Sequence, residues 1–101
     1  MQGQTIILRS DGSEEVIDRV LSIQETKETI GAPEGVDTVN LRDGHVMLVG
    51  DRSALENRPV NPEATRIYLG LCVPGTTWKI HGDVAIVWDA DYAAPPKQRR
   101  I

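Results

Sequence analysis

Arg66, Tyr68, Trp78, His81 and Asp83, all in the second half of the chain, are the side chains best suited to hold a ligand. An aromatic face beside a guanidinium is a common way to bind an adenine ring or a phosphate. Arg66, Tyr68, Trp78 and His81 are therefore the candidate set for a nucleotide-type small molecule. The competing reading packs Tyr68 and Trp78 between a helix and a sheet and leaves Arg66 in water. His81 and Asp83 stand two residues apart, a spacing that puts an imidazole and a carboxylate on one face of an extended strand. Against that pairing, Gly82-Asp83 has the composition of a turn whose Asp side chain bonds nearby backbone N–H groups, and this is the favoured reading of Asp83.

Enzymatic chemistry finds little to work with. The chain has two histidines, His45 and His81, and one cysteine, Cys72. A metal centre wants three or four ligands with supporting groups around them, so neither a metal nor another cofactor is expected. Cys72 would need one of the histidines beside it to act as a nucleophile. It lies instead in the apolar run Leu69-Gly70-Leu71-Cys72-Val73, where a thiol is expected to be buried and inert. Glu14 and Glu15 are neighbours on a strand and point to opposite faces, which disfavours a general acid/base pair. The glycines are dispersed at the ends of elements, with no Rossmann or P-loop spacing and no Gly-x-Ser-x-Gly elbow. No catalytic residue is assigned, and a non-enzymatic protein is expected.

Composition sets the frame for these residues. A chain of 101 residues, 40% hydrophobic and 26% charged, fits one globular domain. Phe is absent and the aromatics are Trp78, Trp88, Tyr68 and Tyr92, so Ile, Val and Leu must fill the core. The net charge of −4 argues against nucleic-acid binding, which needs clustered Lys and Arg. The one basic cluster, Lys97-Gln98-Arg99-Arg100, follows Pro95-Pro96, and residues 93–101 are read as a flexible basic tail on a domain spanning 1–92. A lone cysteine precludes an internal disulfide and favours a reducing compartment. The start Met1-Gln2-Gly3-Gln4 lacks the charged and apolar regions of a signal peptide, and no apolar run approaches the ~20 residues of a membrane span. A soluble cytoplasmic protein is expected.

The elements that must position the candidates can be read from turn and cap signals. Asp11-Gly12 separates two β-prone runs, Thr5–Arg9 and Glu14–Asp18, and Asp43-Gly44 separates Asp37–Leu41 from His45–Val49. An Asp-Gly pair in that setting predicts a hairpin with a two-residue type I′ turn. Ser22-Ile23-Gln24-Glu25 has the form of a capping box, and Gly31 and Pro33 end the helix it starts, with Val20, Ile23 and Ile30 on its apolar face. Asn61 fits as the N-cap of a second helix, with Pro62 at its first position and Glu63 against the dipole. The continuous apolar run Val84–Trp88 suits a central strand covered on both faces. The predicted order is β-β-α-β-β-α-β: an α+β domain with a mixed or antiparallel sheet and two short helices on one face. That spacing is compatible with the ubiquitin-like β-grasp arrangement. Exposed hairpin edges offer a route to a homo-oligomer.

The Asp11-Gly12-Ser13 turn, Gly31, Asp37-Thr38-Val39, Gly44-x-x-Met47, Val60-Asn61-Pro62-Glu63-Ala64-Thr65 and Ile80-His81-Gly82-Asp83-Val84 together form a pattern over Thr5 to Asp91. This pattern resembles that of an uncharacterised family of small domains encoded mainly by bacteriophages, plasmids and integrated elements, domain-of-unknown-function family 3846. The motifs carrying the likeness are a cap, a turn and a strand, and the family supplies no catalytic residues to transfer. The resemblance implies a small accessory protein of a phage or mobile element in a bacterial cytoplasm. The function expected from it is binding of a host or phage protein, with interference in host defence as a consequence. The alternative is sequestration of a nucleotide-type signal at Arg66, Tyr68, Trp78, His81 and Asp83.

Overall fold

The elements follow one another in the predicted order: β1 (Thr5–Leu8), β2 (Glu14–Ile17), α1 (Ile23–Ile30), β3 (Val36–Asn40), β4 (His45–Gly50), α2 (Pro62–Leu69) and β5 (Val84–Trp88). The structure, a computed structural model, describes residues 3–41, 44–52, 56–72, 75 and 78–88. The proposed tail over 93–101 lies outside them.

The first hairpin forms where Asp11-Gly12 predicts it, but with a different turn. Gly12 takes φ +94° while Asp11 stays at negative φ. The Gly12 N–H donates to the Arg9 carbonyl at 2.9 Å, and the Arg9 N–H donates to the Ser13 carbonyl at 2.9 Å. This is a three-residue loop, Ser10-Asp11-Gly12, in which glycine occupies the left-handed position. The Asp11 carboxylate explains the choice: it accepts the Ser13 N–H at 2.8 Å and the Ser13 hydroxyl at 2.7 Å, bonds that suit an ordinary turn at Asp11. In the second hairpin Gly44 takes φ +90° and Leu41 N–H donates to the His45 carbonyl at 2.8 Å; Asp43 lies outside the described residues.

Helix α1 starts with the predicted capping box. The Ser22 hydroxyl accepts the Glu25 N–H at 3.0 Å, and the Glu25 carboxylate accepts the Ser22 N–H at 2.9 Å. It ends at Gly31, φ +72°, with Ala32 N–H donating to the Lys27 carbonyl at 2.8 Å. The buried face differs from the expected one. Ile30 turns inward as expected, but Thr26 joins it there, while Val20 and Ile23 are exposed. Thr26 is tolerated in the core because its hydroxyl donates back to the Ser22 carbonyl at 2.9 Å.

The Glu25 carboxylate also takes both guanidinium arms of Arg19, at 2.9 and 2.8 Å. That pair, helped by the Ser22 N–H, holds its pKa down to about 2. A depressed folded-state pKa contributes stability that is present above the ordinary Glu value and lost as pH falls. The stability from Glu25 is thus lost between about pH 4.5 and about 2. A carboxyl-detected NMR titration should find its midpoint near the lower limit, and Arg19→Ala should move it towards the upper one. A midpoint unchanged by Arg19→Ala would refute the assignment.

The strands form one five-stranded sheet in the order β2-β1-β5-β4-β3, antiparallel at every pairing. The expected mixed alternative is excluded. So is the β-grasp arrangement, in which the first and last strands run parallel: here Leu8 pairs with Val84 and Thr5 with Val87. The sense of β5 is set at its start, where Asp83 accepts the Ser10 N–H at 2.9 Å and so ties the entry of β5 to the exit of β1.

The helices lie on opposite faces, which corrects the expectation of two helices on one face. Ile7, Val46, Leu48, Ala85 and Val87 pack with Ile30 and Leu21 on the α1 side. Leu8, Met47, Val84 and Ile86 pack with Ala64, Ile67 and Tyr68 on the α2 side. The physical reason is already in β5: Val84, Ala85, Ile86 and Val87 are all buried, and successive residues of a strand point to opposite faces. A strand buried on both sides needs cover on both sides.

Candidate functional site

The stretch 78–82 reaches the surface because α2 grips it. Asn61 N–H donates to the Ile80 carbonyl at 2.8 Å. One turn later Thr65 accepts the Ile80 N–H at 2.9 Å and donates to the Ile80 carbonyl at 3.3 Å. The Asn61 side chain accepts the Ala64 N–H at 3.0 Å as the predicted N-cap, and its amide donates to the Leu8 and Gly82 carbonyls, each at 2.9 Å. The Asn-Pro-x-Ala-Thr run is therefore a clasp joining α2, the end of β1 and the lead-in to β5. Ile80 is drawn into the core and Trp78 is left 63% exposed.

Beside that tryptophan is a shallow depression of about 120 Å³, lined by Asp37, Val49, Gly50, Asp51, Trp78, Lys79, Ile80 and His81. Pockets that enclose a drug-sized ligand run to roughly 300–1,000 Å³, so this one suits a single side chain better than a nucleotide. His81 Nδ1 lies 2.7 Å from the Arg58 carbonyl. A carbonyl only accepts, so Nδ1 carries a proton and donates to it. Asp37, Asp51 and Lys79 make no ion pair with any described residue, since the ion pairs of the structure involve other groups.

Only two of the five predicted ligand-binding residues, Trp78 and His81, meet at this depression. Arg66 points into water and pairs with Glu63 on its own helix, which raises the arginine pKa and lowers that of the glutamate. Tyr68 packs against the α2-side core, and its hydroxyl bonds with Cys72, which pushes the phenol up. Asp83 accepts Arg9 Nη1 at 3.0 Å and the Ser10 N–H. Its favoured reading as a turn carboxylate needs correcting, because the backbone it bonds belongs to the first hairpin and is remote in sequence. The packing alternative also fails for Trp78, which is exposed. Cys72 is half-exposed, not buried as its apolar neighbours suggest. Sequence reasoning missed Asp37, Asp51 and Lys79, which come from the edge strand, the end of β4 and the grip on Ile80.

Among the described residues no group of three or more His, Cys, Asp or Glu side chains is placed to hold a metal ion. No helix there is long and apolar enough to cross a membrane. No protein-family model, curated protein or solved structure matches the chain.

Proposed function

We propose that this protein is a non-enzymatic accessory protein of a bacteriophage or mobile element, acting in the bacterial cytoplasm by binding a host or phage protein at the Trp78 depression. The resemblance of the Asn61–Thr65 and Ile80–Val84 runs to phage-encoded domains supports the setting, and interference with host defence is the consequence proposed for binding. The observation that carries the site is Trp78. Among the described residues it is the most exposed of the large hydrophobic side chains, and it lines a depression fit for one side chain. Exposed aromatics of this kind anchor protein interfaces, where Trp is among the residues that dominate binding energy.

The small-molecule alternative keeps Trp78 and His81 but loses Arg66, Tyr68 and Asp83 from its site, and the depression is too small to enclose a nucleotide. Capture from bacterial lysate with the immobilised protein tests the main reading. A stoichiometric partner is expected with the wild-type chain and loss of at least about tenfold with Trp78→Ala, the cost of a typical anchor residue. The melting temperature should stay within a few degrees, as expected for a surface substitution. A partner retained equally by Trp78→Ala would refute the site. Stabilisation by nucleotides in place of any protein partner would favour the alternative.

A further inference from the structure

Among the described residues, one side of the β3 backbone is unpaired within the sheet. Leu41 N–H donates to the His45 carbonyl at 2.8 Å and Asp51 N–H to the Gly35 carbonyl at 3.3 Å, in the register that pairs Asp37 with Val49 and Val39 with Met47. In an antiparallel ladder alternate residues turn both backbone groups to one neighbour. Gly35, Asp37, Val39 and Leu41 therefore face β4, while Val36, Thr38 and Asn40 direct theirs outward from the last strand of the sheet. Asp37, Thr38 and Asn40 are exposed. Val39 packs on the α2-side cluster, and Asp37, on the same face, lines the Trp78 depression.

We infer that β3 is a docking edge for an extended segment of the partner protein, with an Arg or Lys of that segment entering the Trp78 depression. This deepens the proposed function and rests on it. A strand laid antiparallel to β3 exchanges backbone hydrogen bonds with Val36, Thr38 and Asn40, and pockets for alternate side chains give such docking its specificity. The incoming residue opposite Asp37 falls in a non-hydrogen-bonded pair, where side chains approach most closely. There it meets Asp37, with Asp51, Trp78 and Lys79 lining the same depression; two carboxylates against one ammonium leave a net negative charge beside an aromatic ring, surroundings that favour a cation. The opposite edge offers less. Strand β2 is shorter, exposes Glu14 and Glu15, and has Glu15 already paired with Arg9. A second copy of this chain also fits less well, because β3 paired with itself about Thr38 sets Asp37 opposite Val39 and brings no cation.

The test selects a random peptide-display library on the full-length protein. Enriched peptides are expected to be extended, rich in β-branched residues, and to carry one Arg or Lys. A synthesised winner should shift the amide signals of Val36, Thr38 and Asn40 and the Trp78 indole N–H. Changing its basic residue to Glu, or Asp37→Lys in the protein, should each weaken binding about tenfold or more. Thr38→Pro should abolish binding and keep the fold, since an edge strand tolerates proline where its N–H faces outward. If that variant unfolds, Asp37→Lys decides the question. Enriched peptides without a basic residue, shifts confined elsewhere, or unchanged affinity in Asp37→Lys would overturn the inference. Self-association in sedimentation that Thr38→Pro removes, with no peptide bound, would assign the edge to a second copy and also overturn it. Loss of a lysate partner in Trp78→Ala together with failure of these peptide tests would sink the docking edge alone, whereas retention of that partner would sink the proposed site itself.

Discussion

Asn61→Asp is expected to destabilise the fold by about 3–5 kcal/mol at neutral pH, although Asp and Asn are equally good helix caps. The Asn61 side chain is fully buried. Its oxygen accepts the Ala64 N–H, a role that aspartate preserves. Its nitrogen donates to the Leu8 and Gly82 carbonyls, and aspartate would put a carboxylate oxygen there against two acceptors. Asn61→Ala should cost less, about 2–4 kcal/mol, combining a lost cap with two carbonyls deprived of a donor. The pH dependence separates the two variants. Burial against carbonyls raises the folded-state pKa of the introduced carboxyl above its unfolded value near 4. The protonated form, which can donate one bond, therefore contributes stability below that pH that is lost as pH rises through the folded pKa. The deficit of Asn61→Asp relative to wild type should grow with rising pH, while that of Asn61→Ala stays flat. Urea titrations across pH 3–8 would show this; an Asn61→Asp variant as stable as wild type would reduce Asn61 to a cap.

Met47→Ala and Leu48→Ala should each cost about 2–5 kcal/mol, the range for removing a buried long aliphatic side chain. These neighbours on β4 are 0% and 2% exposed, and they point to opposite faces. Met47 fills the α2 side and Leu48 the α1 side. In a sheet covered on one face alone, one of the two would be exposed and its truncation nearly free. Equilibrium unfolding with near-equal losses supports two covered faces; a cost below about 1 kcal/mol for either would contradict the packing described here.

What was legible in the sequence was local. Ser22 with Glu25, Gly31, and Asn61 with Pro62 act within a turn of themselves, so residue type and spacing suffice to place both helices. The Asp11-Gly12 turn was half legible, because the pair fits a two-residue or a three-residue loop and only the Arg9–Ser13 pairing distinguishes them. The apolar run of β5 already required cover on both faces, but nothing local says which helix goes where. The inward face of α1 was legible at Ile30 but not at Thr26, which hides its hydroxyl in a bond to its own helix.

The site was least legible. Arg66 falls on the solvent side of α2, bound to Glu63, while Asp37, Asp51 and Trp78 come from three separated segments that meet only through sheet pairing and the grip on Ile80. Trp78 stood out by type, but Asp37 and Asp51 each look alone like an ordinary surface residue. The most specific parts of the resemblance, Asn61–Thr65 and Gly82–Val84, form the fastening beside the depression, while Asp37, Ile80 and His81 of the same pattern line the depression itself.

The last of the described strands in sequence, β5, occupies the middle of the sheet, between β1 and β4. The two hairpins consequently share no backbone ladder until β5 is threaded between them, and most of the loop-closure entropy must be spent before that final insertion is rewarded. Until then, any hairpin already formed has a bare inner margin, the kind of edge through which partly folded chains aggregate. Both inner margins are covered at once when the residues around Ile86 take their place.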